Sequence, residues 1–168
     1  IAVNLAVSLA ETTHLVSVAL VDMNTVFGEI PLFMDIKPEH HWGEVAKNIH
    51  RLDSSFLMNV LVKHDSGVYV LPSPSHLDSN KTATGDVIMQ LLGFMTKVFD
   101  FVVIDGGNPL GDPSLSALQM ADQVFLVCNQ CLPGLANANK LIKSFQEIGY
   151  PEKARIKIIV TRYMAGSC

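Results

Sequence analysis

Val18-Ala-Leu-Val-Asp22 and Phe101-Val-Val-Ile-Asp105 are unbroken apolar runs that each end on a carboxylate. Aliphatic runs of this length, without polar alternation, suit strands buried on both faces of a parallel sheet covered by helices. Strands of such a sheet point one way, so both aspartates are expected at the same carboxyl-end rim. That rim is where open α/β sheets bind ligands. Two acidic groups held there suit a hydrated Mg²⁺ on a nucleotide. Aspartates also end strands merely to cap the turns that follow, so on pattern alone both readings of Asp22 and Asp105 stay open.

The flanking sequence supplies the helices. Ala2, Ala6 and Ala10 run beside Ile1, Leu5 and Leu9, a small-residue stripe that suits a helix over 1–11 packed closely on a sheet. Leu15 to Val21 reads as the first strand. Met23 to Pro38 reads as irregular, broken by Gly28, Pro31 and Pro38. Short helices are expected near Trp42–Leu52 and Ser54–Val62, then a strand over Gly67–Leu71. Ile88, Leu91, Leu92, Met95 and Val98 give Thr84–Val98 a helical stripe. Asp112 and Pro113 form a cap and first position for a helix over Ser114–Met120. A strand at Val124–Cys128 follows, then a helix through Leu135, Leu141 and Ile148 that Gly149 ends, and a last strand at Ile156–Val160. Alternating strands and helices predict an α/β fold with a doubly wound, mostly parallel sheet, helices on both faces, and one domain over 1–168.

Composition narrows the function. The net charge of −4 argues against a broad grip on nucleic acid or anionic lipid. No apolar run approaches the roughly 18 residues of a membrane span. Ile1 to Glu11 lacks the basic leader of a signal peptide. With 3 cysteines there is no disulfide framework, and a cytosolic protein with reduced thiols is expected.

Several motifs are set aside. Gly106-Gly-Asn-Pro-Leu-Gly111 has the glycine spacing of a phosphate loop, but Asp112 and Pro113 replace the Lys and Ser/Thr, and a carboxylate there repels phosphate. Cys128-Asn-Gln-Cys131 is a C-x-x-C without the flanks of a thioredoxin-like site and without a second ligand pair for zinc. His40, His41, His50, His64 and His76 form no ligand spacing and read as surface residues.

Other segments resemble a known family. Ile1-Ala-Val-Asn-Leu-Ala-Val-Ser-Leu-Ala10 is similar to the helix that follows the deviant Walker A loop of MinD/ParA-type ATPases. Leu20-Val-Asp-Met-Asn-Thr-Val-Phe-Gly28 resembles their switch I, and Phe99-Asp-Phe-Val-Val-Ile-Asp105 their Walker B and switch II segment. Ile158-Ile-Val-Thr-Arg-Tyr163 resembles the later segment near the base. Within the superfamily, Phe27–Asp35, Arg51-Leu-Asp53, His64–Leu71 and Leu132–Lys140 resemble the CpaE/TadZ-type proteins of bacterial Flp (Tad) pilus assembly.

The resemblance implies a P-loop fold, Mg-ATP at the strand carboxyl ends, and an ATP-dependent homodimer. Asp22 and Asp105 would hold the Mg²⁺ through water, with Gly106, Thr161 and Arg162 as further nucleotide-binding positions. Asn24 stands where the family has a second switch I aspartate, and an amide cannot take a proton from water. Thr161 replaces the asparagine that reads adenine. The chain starts just after the phosphate loop and stops soon after Tyr163, so a fragment of a longer protein, inactive by itself, is expected.

The expected function is therefore an ATP-dependent localisation or assembly factor in pilus biogenesis or secretion, with weak or lost hydrolysis. It would be cytoplasmic in a bacterium, recruited to the cell pole or inner membrane, with pilus or secretion machinery proteins as partners. The rivals are a non-enzymatic scaffold with a degenerate nucleotide site and a ParA-type DNA-partitioning ATPase, the latter disfavoured by the charge.

Overall fold

The structure, a computed structural model, describes residues 1–12, 15–24, 28–74, 84–107 and 110–165. It forms two compact units, Ile1–Ala117 and Leu118–Cys168.

In the first unit, the Val18 run forms strand β1 (Val18–Asp22), with every residue buried. The strand begins later than Leu15, which is almost wholly exposed. Its start is set at Ser17, whose amide and hydroxyl both donate to the Asp100 carboxylate at 2.8 Å. Strand β2 (Val62–Lys63), strand β3 (Tyr69–Leu71) and strand β4 (Phe101–Asp105) complete a sheet of order β2-β3-β1-β4. β3 and β4 run parallel to β1, and the short β2 pairs antiparallel with β3. Val62, expected as the end of a helix, is instead the first residue of β2. β4 is less buried than its apolar sequence suggests, and Phe101 is 42% exposed, because β4 is the edge strand of this sheet.

Helix α1 (Ala2–Thr12) buries Ala6 and Ala10 against Val18, Leu20, Val68 and Val70. Alternation along β1 sends Val18 and Leu20 to this face, and Ala19 and Val21 to the other. Helix α2 (Ile30–Phe33) lies in the stretch expected to be irregular, with Pro31 in its first turn, where a missing N–H costs nothing. Helix α3 (Trp42–Lys47) ends short of Leu52 because Asn48 Nδ2 turns back to the Glu44 carbonyl at 2.9 Å, and a 3₁₀ turn, Ile49–Arg51, follows. Asp53 caps helix α4 (Ser54–Val60), accepting from Phe56 N at 2.7 Å. Helix α5 (Gly85–Val98) buries the expected stripe, Ile88, Leu91, Leu92 and Met95, and packs on β4. Helix α6 (Asp112–Met120) begins at Asp112 itself, which is helical rather than the expected cap, and whose carboxylate instead accepts from Gly85 N at 2.6 Å, at the start of α5.

The second unit pairs strand β5 (Val124–Asn129) in parallel with strand β6 (Ile156–Thr161), from Val124 opposite Ile156 to Asn129 opposite Thr161. Helix α7 (Leu132–Ile148) packs on β5 and buries Ala138 and Phe145. It starts one turn before Leu135, because Cys131 caps it and Pro133 suits its first turn. Gly149, at φ 83°, ends it as expected. Among the described residues no helix is long and apolar enough to cross a membrane.

The α5 stripe carries a large share of the first unit's burial. Leu91→Ala is expected to cost about 2–5 kcal/mol in urea denaturation, and Met89→Ala, on the exposed side of the same helix, much less.

Candidate functional site

The register of β1 and β4 places Asp22 directly opposite Asp105 at the carboxyl ends of both strands. Met23 N donates to Asp105 O at 2.9 Å and closes the rim. The two carboxylates foreseen as partners are therefore brought together. They are not equivalent. Asp105 lines an open cleft of about 510 Å³, together with Asn24, Glu29, Phe33 and the first turn of α1. Asp22 does not line it and is fully buried behind it.

The Asp22 carboxylate is held by its neighbour. Asn24 Nδ2 donates to Asp22 Oδ1 at 2.8 Å, and Asn24 N donates to the same oxygen at 3.1 Å. Asp22 Oδ2 has no hydrogen-bond partner among the described residues. Burial pushes the Asp22 pKa above the ordinary value of 3.8. The Asn24 side chain and backbone and the Ile30 backbone oppose the rise, and the negative charge of Asp105 adds to it.

Gly28 closes the site over Asp22. Its amide donates to Ser73 Oγ at 3.0 Å, and a Cβ there would collide with both Asp22 Oδ2 and Ser73 Oγ. Gly107, at φ 61°, presses on Asn24 from the β4 side, where a Cβ would lie 2.6 Å from Asn24 Oδ1. Gly106 lies directly between Asp105 and this glycine, and its carbonyl accepts from Ser114 Oγ at 3.4 Å. Asp22, Asn24, Asp105 and Gly106 thus form one cluster. Thr25, Val26 and Phe27 of the switch I-like motif lie outside the described residues.

Thr161 and Arg162 belong to the second unit, at the carboxyl end of β6. Thr161 Oγ1 lies 2.8 Å from Asn129 Oδ1 and 3.3 Å from Cys128 O, its two possible acceptors. Arg162 adopts a left-handed backbone at φ 53°. Gln130 Oε1 accepts from Met164 N at 2.6 Å, and Gln130 Nε2 donates to Met164 O at 3.2 Å, fastening the turn after β6. Cys128 and Cys131 are free thiols, and Cys131 Sγ accepts from Gly134 N at the start of α7. His40 and His41 both approach the Glu44 carboxylate, at 2.9 and 3.8 Å. His76 lies outside the described residues.

The residues suit a magnesium ion carried on a phosphate ligand. Among the described residues no group of three or more His, Cys, Asp or Glu side chains could hold a metal by itself. A buried carboxylate oxygen without a partner, beside a second carboxylate open to the cleft, favours a cation whose remaining ligands are phosphate and water. The first turn of α1 lines the same cleft, and the amides of a helix's first turn suit phosphate oxygens. Sequence reasoning missed Asn4, Glu29 and Ser73. Glu29 and Ser73 follow breaker-rich stretches in which side-chain placement has no periodic signal, and Asn4 sits within an apolar stripe.

No protein-family model matches the chain. Two uncharacterised ATP-binding proteins of Methanocaldococcus jannaschii are similar to it. One is 29% identical over 93 residues, 55% of this chain and 35% of the relative. The other is 24% identical over 149 residues, 89% of this chain and 54% of the relative. The chain thus spans about half, or less, of the length of these relatives. Among solved structures, the ParA family ATPase of Chlorobium tepidum TLS superposes with a TM-score of 0.88 at 22% identity, over 96% of this chain and 67% of that one. MinD from Pyrococcus horikoshii OT3, solved with Mg-ADP, gives 0.72 at 18% identity, over 94% and 60%. The chain has the mixed α/β, mostly parallel fold of the ParA/MinD P-loop NTPases, as its motifs imply.

Two outcomes follow from the packing around Asp22. Gly28→Ala must displace Ser73 or the Asp22 carboxylate, and is expected to lower stability by about 1–3 kcal/mol in urea denaturation. Carboxyl ¹³C NMR should show Asp22 titrating above 3.8. Asp100, stabilised as the anion by the Ser17 backbone amide and hydroxyl, should titrate below 3.8. The signs are opposite. The Asp22 contribution to stability is complete below 3.8 and is lost as pH rises through its raised pKa, whereas that of Asp100 is complete above 3.8 and is lost as pH falls through its lowered one.

Proposed function

We propose that the intact protein binds Mg-ATP at the β1–β4 rim and works as a nucleotide-dependent localisation or assembly factor of the CpaE/TadZ type. The in-register pair Asp22–Asp105 beside the cleft at the α1 first turn supports the nucleotide part of this reading. The amides of α1 would receive phosphate oxygens. Asp105 would orient the metal's water shell from the cleft, and Asp22 would do so from behind, through Oδ2. Bound Mg²⁺ supplies neutralisation of the charge on the triphosphate. Asn24 holds Asp22 in place and can orient a water, but it cannot deprotonate one, so hydrolysis is slow. Thr161 and Arg162 are base-contacting positions on the motif resemblance alone. ATP-binding relatives and the shared fold support the choice of nucleotide.

The pilus assembly or secretion role, the homodimer across the nucleotide and the partners from that machinery rest on the motif resemblance. So does a bacterial cytoplasmic location, with recruitment to the pole or inner membrane. The excess of acidic residues, with a net charge of −4, weighs against DNA partitioning.

Titration of fluorescent ATP into the natural full-length protein, with and without Mg²⁺, tests this reading. Saturable Mg-dependent binding is expected, and Asp105→Ala should weaken it by about tenfold or more, some 1.4 kcal/mol. Absence of saturable binding would overturn it in favour of a scaffold with a degenerate site.

A further inference from the structure

Glu29 stands immediately before α2, at its N-cap position, yet its side chain makes no capping bond. The residue is exposed and lines the same cleft as Asn4, Asn24 and Asp105. Among the described residues its carboxylate has no hydrogen bond or ion pair. The other polar groups of the cleft are committed or unable to accept a proton. Asn24 is an amide tied through Nδ2 to Asp22. Asp22 is buried behind the cleft. Asp105 makes only a long contact, from Gly107 N at 3.4 Å, but the proposed function engages it with the metal's water shell. Glu29 is the carboxylate left uncommitted.

We propose that Glu29 is the general base for the slow hydrolysis of ATP in this cleft. The inference rests on the nucleotide reading of the same site. In the step, the oxygen of a water forms a bond to the γ-phosphorus while the bond from that phosphorus to the β–γ bridging oxygen breaks. ADP leaves with the bonding electron pair. The proton released by the water passes to the Glu29 carboxylate and from there to solvent, giving ADP and inorganic phosphate. Nothing is oxidised or reduced. The position of Glu29 next to α2 means that the base and the water-orienting Asn24 arrive from the two ends of one segment, the loop between β1 and α2.

A general base and a structural residue differ in what their loss does to binding. A carboxylate beside a triphosphate repels it, so removing the charge should not weaken ATP affinity. In the full-length protein, Glu29→Gln is expected to bind fluorescent Mg-ATP at least as tightly as wild type. Its single-turnover phosphate release should fall by roughly 10²-fold or more. Glu29→Asp should recover part of the rate. An unchanged rate in Glu29→Gln would overturn the assignment, as would a loss of rate that merely follows a weakened Kd. ATP binding by wild type without measurable phosphate release would overturn it too, leaving the nucleotide reading intact. No saturable ATP binding by wild type would overturn both.

Discussion

The register between β1 and β4 is the constraint on which the site depends. At one end Ser17 and Asp100 bind each other through the amide, the hydroxyl and the carboxylate, and Ser17 O also accepts from Asp100 N and Phe101 N. At the other end the same register sets Asp22 opposite Asp105. A slip of one residue would turn each side chain to the opposite face of the sheet. It would bury the wrong residues under α1 and separate the two carboxylates. The clamp at the amino ends and the acidic pair at the carboxyl ends are therefore two results of one alignment.

That alignment imposes a cost at the rim. Asp22 is fully buried, and one of its oxygens has no partner among the described residues. A buried polar atom left unbonded disfavours the ionised form and weakens the fold locally. The surroundings are nevertheless built to keep it there. Asn24 fastens Oδ1, Gly28 leaves only the space that a hydrogen atom fills, and Ser73 holds Gly28 down. Local conflicts of this kind, over-determined by their neighbours, are typical of functional sites. A cation near Oδ2 would relieve the conflict, which gives the protein a physical reason to bind one.

The shared fold and the individual chemistry are separate questions. The likeness to ParA and MinD structures lies in the overall fold, at 22% identity or less for the two compared. What the rim can do is set by single side chains. Asn24 is an amide tied to Asp22, and Thr161 hydrogen-bonds within its own unit through Asn129 or the Cys128 carbonyl.

The apolar runs, the α5 stripe and the Gly149 stop were legible in the sequence because burial and helical periodicity are local patterns that the chain carries in one dimension. The same logic located Asp22 and Asp105 at strand ends. The boundaries that failed, at Leu15, after Lys47 and at Val62–Lys63, were decided by bonds to distant or competing groups: Asp100 at Ser17, the Asn48 side chain, and β3 beside β2. The unequal environments of Asp22 and Asp105 were likewise invisible, since both end similar strands and only the sheet order makes β1 internal and β4 an edge, with Gly28 packed on Asp22. Glu29 and Ser73 lie in segments without period, so their approach to the site depends on how three separate strands are brought together. The sequence by itself determined which segments form the sheet and which residues end its strands. The tertiary structure alone decided which carboxylate faces the cleft, because that depends on contacts between residues far apart in the chain.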